Sequence, residues 1–186
     1  MKVKLSVGIV AAVAVGLAID FIGAGCANAA AQSANSTING IVGSTITLSV
    51  SGDVTINVTP TLGGATATGA HTVTVGSNNS TGYDLKLSSS TTDTTLAKGA
   101  DTFAAASGTF GAPAALAVNT WGYRLASFTA SMYAGVVSNA SPATIKTTAT
   151  PVASDATEVT WAINATTAKP SGTYQRQVTY TATTRP

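Results

Sequence analysis

The chain has 186 residues and a formal net charge of +2, and charged side chains make up only 9% of it. That balance provides no basic surface to attract nucleic acid or anionic lipid. It also leaves little repulsion to keep copies apart, and solubility must come from hydroxyls and amides.

Residues 1–29 read as a bacterial secretory leader. Lys2 and Lys4 precede an apolar stretch from Leu5 to Ile22, and Ala27-Asn28-Ala29 supplies a small-residue cleavage site. A helical signal peptide and an extracellular or cell-surface protein are therefore expected. Asp20 interrupts an apolar run barely long enough to span a bilayer, which argues against retention as a membrane anchor. The single cysteine, Cys26, lies in the leader, so cleavage after Ala29 leaves no disulfide, and a core must hold the mature chain together. The alternative is that Gly23-Ala24-Gly25-Cys26 acts as a lipobox with Cys26 lipidated, although the usual Leu three positions before the cysteine is missing. A membrane is then reached only through the leader or that lipid anchor.

Residues 30–44 are small and polar, with Ile38, Ile41 and Val42 as their branched apolar residues, and read as a flexible linker or a donor segment. Residues 45–186 read as one domain. Thr45 to Val50 places Ile46, Leu48 and Val50 on one face, Ser51-Gly52-Asp53 supplies turn residues, and Val54, Ile56 and Val58 repeat the pattern, which predicts a hairpin. Pro60 closes the second strand and Gly63-Gly64 opens a loop. Strands follow at Thr72 to Gly76 and Tyr83 to Leu87, with Asn78-Asn79-Ser80-Thr81-Gly82 turning between them. Residues 88–118 read as short strands and loops. Asn119 to Ala126 reads as an aromatic central strand, Thr144-Ile145-Lys146 as a short one, and Val159, Trp161 and Ile163 mark another. Tyr174, Val178, Tyr180 and Ala182 share a parity in the last strand, after a turn at Pro170-Ser171-Gly172. Past the leader no helical period is sustained. The expected fold is all-β, an antiparallel β-sandwich of Ig-like or pilin-like type.

The residues that do chemistry are sparse. His71 is the only histidine and has no cysteine or carboxylate at ligand spacing, and the carboxylates are scattered. No catalytic, cofactor-binding or metal site is predicted, and no enzyme. Lys86 and Lys146 have parity opposite to their apolar neighbours and are expected to point outward, away from any isopeptide partner. Trp121, Tyr123 and Trp161 share the parity of aliphatic neighbours, as do Tyr174 and Tyr180, and are expected in the core. A sugar-stacking platform built from Trp121, Tyr123 and Trp161 is the alternative.

Three segments carry a resemblance: Asn78 to Leu85, Asn119 to Tyr123, and Ser171 to Tyr174 running into Val178 to Ala182. Their order and spacing resemble uncharacterised Thr-rich surface proteins of Saccharibacteria and related candidate-phyla bacteria, which implies a secreted β-sandwich and no particular mechanism. More distantly, the chain is similar to WxL surface domains, whose resemblance implies binding to cell-wall peptidoglycan. Tyr83 and Tyr180 stand where those domains have tryptophans, and Ala182 where they have the final Leu.

Two functions are consistent with this reading. One is a pilin-like or surface-layer subunit that self-associates by β-strand addition, with Ile38, Ile41, Ile46 and Leu48 as the strand-exchange residues. The other is a monomeric adhesin that binds cell wall or host glycans.

Overall fold

Two long strands form the spine of the fold. β2 (Ala65–Ser77) and β10 (Val152–Ala165) pair antiparallel from end to end in the computed structural model, which describes residues 32–186. The expected signal peptide, its expected cleavage site and the lipidation candidate Cys26 lie outside the described residues. β1 (Ile46–Val50) adds to the other edge of β2, and β7 (Thr120–Arg124), β5 (Asp101–Ala105) and β4 (Leu96–Lys98) extend the sheet beyond β10, in the order β1-β2-β10-β7-β5-β4. In a second sheet β3 (Tyr83–Ser89) lies between β11 (Val178–Thr184) and β9 (Ala143–Thr147). β6 (Ala114–Ala115) and β8 (Met132–Tyr133) make a short ribbon.

The described residues contain no helix, and the all-β expectation holds. The all-antiparallel expectation does not, because β5 pairs with β7 in parallel. Residues 106–119 form the crossover, and their number matches the dozen or more residues that a parallel pair needs.

The two-residue rhythm becomes a core where the inward positions of both sheets meet. Val73 and Val75 of β2, Trp121 and Tyr123 of β7, and Val159 and Trp161 of β10 are buried in one cluster with Tyr83, Leu85 and Leu87 of β3 and Ile145 of β9. Full burial of each aliphatic side chain contributes about 1.5–3 kcal/mol, which replaces the disulfides a chain of this kind lacks.

The expected hairpin does not form. β1 pairs with Val73–Ser77 of β2, with Ile46 opposite Ser77 and Val50 opposite Val73, while 51–60 form no strand. Val54, Ile56 and Val58 still pack against the core. The reason lies in β2, whose inward positions before His71 are Ala65, Ala67 and Gly69. A Cβ on Gly69 would sit 2.7 Å from Val54 Cγ1 and 3.2 Å from Ile56 Cγ1, so the bare glycine makes room for this segment to lie across β2 instead of turning back along β1.

Candidate functional site: an open flank and a polar clasp

The amino-terminal segment of the described chain exposes three large apolar side chains. Ile38, Ile41 and Val42 are 89%, 96% and 88% exposed. The chain enters β1 under the control of Asn78, whose side-chain carbonyl accepts from Thr45 N at 2.6 Å and whose amide donates to Gly43 O at 2.8 Å. The neighbouring Asn79 amide donates to Arg185 O at 2.7 Å and Gly82 O at 2.9 Å. One polar turn thus holds both the start of β1 and the end of β11, a role its composition announced only as a turn. Gly82 has φ +79°, and a Cβ there would collide with Thr148 O, so this turn also requires glycine.

The four predicted strand-exchange residues divide into two pairs. Ile38 and Ile41 belong to no strand among the described residues, whereas Ile46 and Leu48 belong to β1, which is already paired within its own chain. The stretch without strand pairing in the described chain therefore stops at Thr45, just before β1. β1 is itself an exposed edge strand, with Leu48 and Val50 at 39% and 42%.

Beyond β1, His71 fixes the turn. Its Nδ1 lies 3.0 Å from Gly52 O, which can only accept, so Nδ1 carries the hydrogen. Nε2 then accepts from Tyr180 Oη at 2.7 Å and from Trp161 Nε1 at 3.4 Å. The lone histidine joins β2, β10, β11 and the 51–53 turn, and both ring nitrogens are engaged.

The aromatic side chains proposed for sugar stacking are core. Trp121, Tyr123 and Trp161 are all buried, Trp121 and Trp161 stack at 5.5 Å with planes 20° apart, and Trp121 Nε1 donates to Thr94 O. No face of these rings is open to a pyranose, so the stacking platform is corrected to packing. Tyr123 Oη has no hydrogen-bond partner among the described residues, and burial pushes its pKa up to about 12. Tyr123→Phe is accordingly expected to leave stability unchanged or raise it by about 1 kcal/mol, because it removes a buried polar group that makes no bond. Urea unfolding of the two proteins checks this, and a loss above that size would reveal a bond to the hydroxyl.

Where parity placed Lys146 outside, the structure turns it in. The register of β3 with β9 shifts between Leu85 and Lys86, so Lys146 stands opposite inward-facing Leu85 while Ile145, one position away, is also buried. A second irregularity, in β10 between Val152 and Asp155, lets both of those side chains face inward. Such bulges re-aim side chains, and these two aim a base and an acid at each other across the sheets. Lys146 Nζ lies 2.6 Å from Asp155 Oδ1 and 3.1 Å from Thr157 Oγ1, and Tyr83 Oη donates to Asp155 Oδ2 at 2.7 Å. Burial alone would raise the Asp155 pKa, but the Lys146 ammonium and the Tyr83 hydroxyl outweigh it and hold the carboxyl below its ordinary value. The Tyr83 pKa is raised, first by burial and then by its bond to the Asp155 carboxylate. This clasp joins the two sheets.

No protein-family model, curated protein or solved structure matches the chain.

Proposed function

We propose that this chain is an exported structural subunit of a bacterial cell surface, a β-sandwich of Ig-like or pilin-like type that assembles with its own copies by β-strand addition. The export signal read at residues 1–29 supports the location. The shared core between a six-stranded and a three-stranded sheet supports the sandwich.

The observation that carries the assembly reading is the exposure of Ile38, Ile41 and Val42 within a short segment that has almost no charge. Clustered large apolar side chains on the outside of a soluble domain mark an interaction site, and an extended segment finds its partners at the edge of a sheet. Low charge over the whole chain lets copies approach.

The test removes the segment and keeps the domain. A chain beginning at Gly43 retains β1 and the Asn78 contacts, and is expected to sediment as a monomer while the chain with its tail forms large species. Equal polymerisation of both, or of neither, would end the strand-addition reading.

A further inference from the structure

If the tail is a donor, the acceptor is visible in the same chain, and this inference rests on the strand-addition reading above. Residues 53–60 are extended in pattern, with Val54, Ile56 and Val58 turned towards the core and Thr55, Asn57 and Thr59 exposed. Yet no backbone or side-chain hydrogen bond to any of their groups occurs among the described residues. Neighbouring stretches are tied down: Ser51 N donates to Thr72 O on one side, and Gly64 N and Thr167 N donate to Thr61 O on the other. A run of backbone donors and acceptors whose side chains are already seated is a strand lacking its ladder.

The borders of this run are apolar as well. The exposed large hydrophobic residues outside the tail are Leu48, Val50, Leu62 and Val118. Leu48 and Val50 precede the run and Leu62 follows it. Val118 reaches the same place through space, since its Cγ1 lies 2.9 Å from the position of a Cβ on Gly64. An arriving strand would bond to the free backbone and meet apolar surface at both ends.

The occupant is a second copy. Asn78 grips Gly43 and Thr45 at the far end of β2, whereas Val54 and Ile56 lie over Gly69, nine residues away and roughly 30 Å at strand spacing. Val42 is joined to Gly43, which Asn78 holds at that far end, so residues 36–42 cannot lie along 53–60 of their own chain. The tail has the composition such a lane asks for: uncharged, in no strand among the described residues, and carrying Ile38, Ile41 and Val42. We infer that residues 36–42 of one copy add as a strand to residues 53–60 of the next, which makes the contact head-to-tail and open-ended.

Disulfide trapping in the full chain, exported with its leader and carrying Cys26→Ala, tests the lane directly. Asn39→Cys is combined in turn with Thr55→Cys, Asn57→Cys and Thr59→Cys, all exposed positions whose substitution leaves the core untouched. Asn39→Cys with Thr147→Cys on β9 or Thr181→Cys on β11 samples the competing edges. The expected result is conversion of most of the monomer band into a non-reducing ladder for at least one of the first three pairs and for neither of the last two. A ladder only with Thr147→Cys or Thr181→Cys overturns this acceptor and leaves strand addition standing. A disulfide closed within one chain overturns the second copy as occupant. Absence of both ladder and large species by sedimentation overturns the acceptor and strand addition together.

Discussion

Trp161→Ala is expected to destabilise the domain by about 3–5 kcal/mol, the largest single effect we anticipate. Trp161 is buried on the central strand β10, stacks on Trp121, and sits 5.7 Å from Tyr123 and 6.2 Å from His71, ring centre to ring centre. Its removal leaves a cavity bordered by three rings from β2 and β7, and it withdraws the indole hydrogen that points at His71 Nε2. Domains of this size are stable by about 5–15 kcal/mol, so the loss consumes a large part of the margin. Urea unfolding followed by tyrosine and remaining tryptophan fluorescence measures it. A cost below about 1 kcal/mol would mean that the indole is not a pillar of the core.

The second large effect belongs to the clasp. Asp155→Asn is expected to cost about 2–3 kcal/mol at neutral pH, less than the loss from a fully buried pair because the side chains of Lys146 and Asp155 keep 30% and 20% of their exposure. The pH dependence follows from the directions of the shifts. Asp155 is depressed in the folded state, so its contribution is complete above the ordinary carboxylate value near 3.8 and fades as pH falls through the folded value. Tyr83 is raised, so its contribution is complete below its ordinary value of 10.0 and fades as pH rises beyond it. The buried Tyr180, also raised by desolvation, adds to the alkaline limit. Stability should therefore hold between about pH 4 and pH 10 and fall on either side. The difference between wild type and Asp155→Asn should shrink from pH 7 to pH 3; an unchanged difference would show that the carboxylate charge is not what stabilises the clasp.

Much of the fold was legible because large side chains alternate where both sheets need filling. Val73 and Val75, Tyr83, Leu85 and Leu87, Trp121 and Tyr123, and Val159 and Trp161 are all inward as their parity required. The rest was hidden for identifiable reasons. The first half of β2 turns Ala65, Ala67 and Gly69 inward, so small residues mask a strand that is fully paired with β10. Val54 to Val58 has the rhythm of a strand but no ladder, and rhythm reports burial, not hydrogen bonding. Lys146 and Asp155 meet through two bulges, and one inserted residue reverses every parity argument beyond it. Of the candidate site, the tail residues Ile38 and Ile41 were visible as apolar side chains without a strand to serve. The lane at 53–60 was not, since an unpaired backbone leaves no mark on side-chain order.

Strand addition between copies remains the central claim, and its most direct test is electron microscopy of the purified full chain beside the chain that begins at Gly43. Strand addition predicts filaments or a regular lattice from the first and dispersed single particles from the second. Dispersed single particles from both would contradict it.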